Sequence, residues 1–146
     1  MNNEKEQTIQ NNELLREDDL PFIVSDLKQW EYCPRILYYA LCLPDVRPTT
    51  YKMQAGVEAG LEEEGREKRR SLHPYGLSEG RREFDVAVTS QRMGLKGKVD
   101  MVIWLENKNG IQEIIPVDFK LSKTCYTHFK LQLTAYGLLL EENSGI

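Results

Sequence analysis

From residue 84 to 89 the apolar positions recur every second residue, and the strand-like block that this opens, running to residue 120, constrains the fold more than any other. Phe84, Val86 and Val88 alternate with Asp85, Ala87 and Thr89, a period of two that suits a strand and not a helical stripe. Leu95 to Leu105 reads as a second strand, with Gly97 and Asp100 as its unusual members. Asn107-Lys108-Asn109-Gly110 is a hairpin turn, because Asn and Gly accept the positive φ angles that tight turns need. Ile111 to Lys120 then supplies a third strand.

Helical spacing flanks this block. Ser25 is the expected N-cap of a short helix carrying Leu27, Trp30 and Glu31, and Pro34 interrupts it before a second apolar-rich segment, Arg35 to Leu43. Pro44 and Pro48 bracket a loop. A longer helix is expected from Tyr51 to about Arg70. Its three glycines, Gly56, Gly60 and Gly65, each cost up to about 1 kcal/mol relative to alanine, so packing is expected to support it. Residues 71–81, with His73-Pro74-Tyr75-Gly76, form a loop in which His73 is expected at the surface. Thr127 to Glu142 returns to helical spacing, with Phe129, Leu133, Tyr136, Leu139 and Leu140 apolar. A helix after a strand usually delivers a further parallel strand. None follows, so a C-terminally incomplete α/β core is expected.

The chain has 146 residues, enough for one domain with a real core, and its 40% apolar and 29% charged residues suit a soluble one. No apolar run approaches the ~18 residues of a membrane span, and no signal-peptide pattern opens the chain, so the cytoplasm is the expected compartment. Three cysteines, Cys33, Cys42 and Cys125, argue against a secreted disulfide scaffold. The whole net charge of −4 resides in residues 1–20, an Asn-, Gln- and Glu-rich stretch expected to be a disordered acidic arm. Residues 21–146 are neutral, and neutrality neither demands nor excludes nucleic acid.

The strongest chemical signal is Pro116-Val117-Asp118-Phe119-Lys120 at the end of the third strand, opposite Asp100 in the second. Strand residues i and i+2 share a face, so Asp118 and Lys120 point the same way, and Asp100 joins them if the register allows. Two carboxylates and a backbone carbonyl make an oxygen-rich pocket suited to Mg²⁺ or Mn²⁺. An ammonium beside them can orient an attacking water and stabilise charge developing on a phosphate. Gln132 and Tyr136, one turn apart, lie on one face of the following helix and can approach the same pocket. The ordinary alternative makes Asp118 and Lys120 solvent-facing strand residues.

Taken jointly, these segments resemble the PD-(D/E)XK nuclease superfamily, and within it the RecB-like CRISPR-associated exonucleases (the Cas-four family). Ser25-Asp26-Leu27 with Tyr32-Cys33-Pro34-Arg35 and Tyr38-Tyr39 is similar to the family's N-terminal motif. Glu67 to Arg70 resembles its helical region, and Gly94 to Asp100 its first catalytic strand motif. Pro116 to Lys120 with Gln132 to Tyr136 resembles its last two motifs, so the match spans roughly residues 22–142. The resemblance implies a restriction-endonuclease-like α/β core of N-terminal helices, a three-stranded antiparallel meander and a following helix. It implies metal ligation by Asp100, Asp118 and the Phe119 carbonyl, with Lys120 as the catalytic lysine. Gln132 and Tyr136 would hold DNA or the active-site water. The implied partners are single-stranded DNA ends and the CRISPR integrase, Cas-one and Cas-two.

Two departures accompany the match. The family carries a metal-binding histidine four residues after a helical glycine, whereas Gly56 is followed by Gly60, leaving Glu58 or Glu62 as substitutes. The family also binds a 4Fe-4S cluster through one N-terminal cysteine and three near the C-terminus. Cys33 stands in the first position, while Cys42 and Cys125 match none of the others. Cys33 is then a ligand only if three cysteines come from elsewhere, and otherwise a small buried residue.

The leading expectation is a Mg²⁺- or Mn²⁺-dependent DNA exonuclease of single-stranded ends that processes prespacers. The alternatives are a non-catalytic subunit that binds DNA or the integrase, and a fragment whose sheet needs completing. Arg66, Lys68, Arg69, Arg70, Arg81 and Arg82 either track a DNA backbone or pair with Glu62, Glu63, Glu64 and Glu67. Trp30, Tyr32, Tyr38 and Tyr39 either stack on bases or, as is commoner at this spacing, fill a core.

Overall fold

The computed structural model describes residues 20–43, 45 and 49–145. The expected acidic arm and the loop prolines Pro44 and Pro48 lie outside the described residues, except that Leu20, assigned to the arm, is buried. The chain is mixed α/β. A two-residue strand β1 (Phe22–Ile23) leads into helices α1 (Val24–Tyr32), α2 (Pro34–Cys42) and α3 (Tyr51–Glu67). A 3₁₀ turn at His73–Tyr75 precedes strands β2 (Arg81–Ser90), β3 (Leu95–Asn107) and β4 (Gly110–Val117), and helix α4 (Thr127–Ser144) follows.

β2, β3 and β4 form the expected antiparallel meander, with β3 central. Asn107 pairs with Gly110 across the Lys108-Asn109 turn, and Gly110 takes φ +114°, which its missing Cβ permits. The sheet has a fourth strand that the sequence pattern did not show. β1 pairs in parallel with the start of β3, Phe22 with Leu95 and Ile23 with Lys96. Two residues are too short to display a period, so only the edge of β3 defines them as a strand. The third strand also ends earlier than expected, at Val117, so Asp118 to Lys120 leave the sheet.

α4 covers one face of the sheet. Ala135, Tyr136, Leu139 and Leu140 meet Val24, Val88, Val99, Val102 and Trp104 there. The opposite face holds Leu72, Met101 and Ile103, backed by Tyr75, Leu77, Phe84 and Phe119. β3 is thus covered on both sides, which explains its nearly unbroken apolar run. Val99 and Met101 nevertheless face opposite layers although two residues apart. The reversal falls at Asp100, where the β2–β3 ladder passes from Phe84–Met101 to Val86–Val99 and Asp85 adopts φ +54°. The far end of α4 is tied to the end of β2. Asn143 Nδ2 donates to the Thr89 carbonyl, Ser90 donates to Glu142, and Glu142 pairs with Arg92 at 3.0 Å.

The helices depart from expectation in three places. α1 begins two residues earlier than a Ser25 cap allows: Ile23 is the N-cap, and its N–H donates to Asp26 Oδ2 at 2.9 Å. The middle of α3 lacks the support expected of it. Tyr51, Met53, Val57 and Leu61 are exposed, and the helix is held at its C-terminal end, where Arg82 donates to the Glu67 and Arg70 carbonyls and buried Glu67 pairs with Arg70. Trp30, Tyr32, Tyr38 and Tyr39 are all exposed instead of filling a core.

Candidate active site

The sheet opens at one edge of β3. β2 runs along the opposite edge without leaving room, but β1 covers this edge only at Leu95 and Lys96, and β4 covers it only from Met101 onward. Residues 97–100 therefore face a break between two strands that share one flank. Asp100 stands at its rim. β4 departs at Val117, so the next three residues turn across the break: the Phe119 N–H donates to Asp100 Oδ2 at 2.7 Å. The Phe119 ring packs in the lower core, which fixes the peptide between the two carboxylates. Asp118, 6% exposed at its side chain, pairs with the Lys120 ammonium, 26% exposed. Asp118 and Lys120 thus meet as expected, although as irregular chain and not as strand neighbours.

Electrostatics mark the same place. Burial raises the Asp100 carboxyl above its ordinary value; the Phe119 N–H and Lys120 oppose the rise, and Asp118 adds to it. Two carboxylates close enough to repel each other are a ready partner for a divalent cation. Lys28 of α1 belongs to this cluster. Burial lowers its ammonium, Lys120 lowers it further, and Asp118 and Asp100 oppose the change. Sequence reasoning missed Lys28, because its position on a short amphipathic helix carries no motif.

Behind the carboxylates, α4 supplies Gln132 and Tyr136, both buried. Gln132 Nε2 donates to the Tyr136 hydroxyl at 3.4 Å, and Gln132 Oε1 is buried with no hydrogen-bond partner. Burial raises the Tyr136 phenol, and both aspartates push it up further against the Gln132 hydrogen bond. Tyr136 reaches the sheet because position 97 is glycine: a Cβ there would lie 2.9 Å from Tyr136 Cε1.

α3 forms the outer wall. Ala59, Gly60, Glu62, Glu63 and Arg66 face Asp118 to Leu121 across a cleft of about 410 Å³. Of the two proposed substitutes for the absent histidine, Glu62 lines this cleft and Glu58 does not. Glu62 is committed to Arg66 at 3.4 Å. Gly60 lines the cleft, and a Cβ on it would meet nothing within 4 Å. In and just after α3, three basic residues take the self-paired alternative: Arg66 bonds Glu62 and Glu63, Lys68 bonds Glu64, and Arg70 bonds Glu63 and Glu67, whereas Arg69 donates to the Gly65 carbonyl. Arg81 likewise pairs with Glu83 and Glu106.

The donor set of Asp100, Asp118 and the Phe119 carbonyl consists of hard oxygens, and a Mg²⁺ or Mn²⁺ ion completes such a set with water and phosphate. Among the described residues no three His, Cys, Asp or Glu side chains gather as a metal-binding group, the cysteines included. Cys33 is half-buried between α1 and α2, while Cys42 and Cys125 are exposed. These thiols do not fit an iron–sulfur cluster by themselves.

No protein-family model matches the chain. It is 34% identical over 127 residues to the CRISPR-associated exonuclease Cas4 of Francisella tularensis subsp. novicida, covering 86% of this chain and 62% of that protein. It is 37% identical over 130 residues to the CRISPR-associated exonuclease Cas4 of Aeropyrum pernix, covering 84% of this chain and 61% of that one. The chain thus spans about three fifths of the length of the curated relatives it matches.

Proposed function

We propose a nuclease mechanism on one premise: the chain belongs to the Cas4 family of CRISPR-associated exonucleases. The observation that carries the reading is the meeting of Asp100, Asp118 and Lys120 at the break in the sheet, joined by the Phe119 N–H. This arrangement supports a PD-(D/E)XK-type site acting on DNA. Asp100, Asp118 and the Phe119 carbonyl would hold a divalent cation, which would supply Lewis-acid polarisation of the phosphodiester and of an attacking water. The Lys120 ammonium, held beside Asp118, orients the attacking water and offsets the charge that builds on the phosphoryl oxygens. The water oxygen bonds to phosphorus, one P–O bond breaks, and the leaving oxygen takes up a proton. Gln132 Oε1, which has no partner, accepts a hydrogen bond from the water or the strand. Single-stranded ends are the substrate we propose, with prespacer processing beside the Cas-one and Cas-two integrase as the setting. No helix among the described residues is long and apolar enough to cross a membrane.

An end-labelled single-stranded oligonucleotide incubated with Mn²⁺ tests this reading. Shortening by the wild-type chain and its loss in Lys120→Ala are expected; equal products from both would reject catalysis at this site. One observation favours the alternative of a non-catalytic DNA- or integrase-binding subunit: Gly60 faces the cleft without a donor. Mn²⁺ affinity separates the two, because a catalytic site binds the ion and loses it in Asp118→Ala.

A further inference from the structure

Where α1 ends and α4 begins, four aromatic rings meet beside Lys120. The Phe129 ring lies 5.6 Å from Lys120 Nζ, and the His128 ring centroid is 4.3 Å from that of Phe129. Tyr126 stacks on His128 at 5.4 Å with the planes only 7° apart. Tyr32, from the end of α1, meets His128 edge-on at 5.3 Å. With Glu31 and Thr127 these rings line a cavity of about 560 Å³. They are not core: Tyr32 is 65% exposed and Tyr126 51%. A pair of large rings left in water costs apolar burial that a bound ligand would recover.

We infer that this cluster is a stacking platform for unpaired bases of the strand whose phosphodiester lies at Lys120, an inference that rests on the nuclease reading above. Three observations select that occupant. The rings form a compact cluster beside Lys120, with Phe129 4.3 Å from His128 and 5.8 Å from Tyr126, a size that suits one or two bases at a stacked rise of about 3.4 Å. Exposed Lys123 and Lys130 flank Tyr126 in sequence and suit a phosphate backbone, against a single carboxylate on the lip, Glu31. Tyr32 and Tyr126 remain exposed after these mutual contacts, and their flat rings with polar hydroxyls suit heteroaromatic bases better than aliphatic side chains. A platform of this kind is closed to duplex DNA, whose bases already stack on one another. It therefore gives the site a physical reason to prefer single-stranded ends.

The test separates this platform from the chemistry by working without metal. Binding of a fluorescein-labelled oligothymidylate to the full chain is measured in EDTA, beside a strand of equal length built entirely of abasic residues. The wild-type chain is expected to bind thymidylate at least tenfold more tightly than the abasic strand. Tyr126→Leu combined with His128→Leu should remove that preference, whereas Tyr126→Phe, which keeps the ring, should retain it. A wild-type chain that binds both strands equally overturns the platform without any variant, so misfolding of the double variant cannot rescue the idea. A double variant with native circular dichroism that keeps the full preference overturns it too. Cleavage in Mn²⁺ is scored separately. Lys120-dependent cleavage without base-dependent binding sinks the platform alone. Base-dependent binding without such cleavage sinks the nuclease reading and leaves the platform supported as a strand-binding surface.

Discussion

Gly97→Ala probes the contact on which the rear of the site depends. The added Cβ would lie 2.9 Å from Tyr136 Cε1, 3.0 Å from Val24 Cγ2 and 3.3 Å from Val24 Cβ. Carbon pairs rest at about 3.5–4.0 Å, so the side chains must retreat by roughly 0.5–1 Å. Neither has room. Val24 is fully buried, and Tyr136 is wedged among Val99, Ala135 and Leu139. Overpacking of a closed core costs about 1–3 kcal/mol, and the better strand preference of alanine returns about 0.5–1. The net loss is about 1–2 kcal/mol, a fall of roughly 0.5–1 M in the urea midpoint for a domain of this size. Tyr136→Leu removes the ring edge, so the two substitutions together should cost less than the sum of their separate effects. Nuclease activity should fall further than stability does, because a displaced ring carries the Gln132 hydrogen bond with it. Strict additivity in that cycle, or a Gly97→Ala protein as stable as wild type, would refute the packing argument.

Gly56→Ala should stabilise the protein by about 0.5–1 kcal/mol in urea unfolding, because a Cβ there meets nothing and the helix gains from alanine. Gly60→His should tighten Mn²⁺ binding in calorimetry, since its Cβ enters open space on the wall facing Asp118; unchanged affinity would show that the cleft is not the metal site. Burial raises the Asp100 carboxyl, so the folded chain holds that proton more firmly than the unfolded one. Metal-free stability from this group is accordingly present below the ordinary aspartate value and lost as pH rises through the raised folded value. Unfolding curves across that window should show a decline that Asp100→Asn abolishes.

The carboxylate and lysine half of the candidate site was legible in the chain because it is local. Asp118 and Lys120 are two residues apart, and the Asn107–Gly110 turn with the one-residue register shift at Leu105/Glu106 pairs Met101 with Val117 and so leaves Asp100 beside Asp118. Gln132 and Tyr136 needed only helical spacing. The expected face-sharing of Asp118 and Lys120 came from strand geometry, yet the residues meet where the strand has already ended. Aromatic spacing on α1 and α2 looked the same as core spacing, since a helix pattern records which residues are apolar and not whether a second layer covers them.

What the sequence determined by itself is therefore the alternating block, its hairpin, and the carboxylates and lysine that the block carries. Those features follow from φ/ψ preferences and side-chain periods over a few residues. Tertiary structure alone decided the rest: the parallel pairing of Phe22 with Leu95, the break it leaves beside Asp100, the arrival of Lys28, and α3 as the outer wall. Each of these joins segments dozens of residues apart, and such contacts depend on which edge of β3 remains open. No local period encodes that choice.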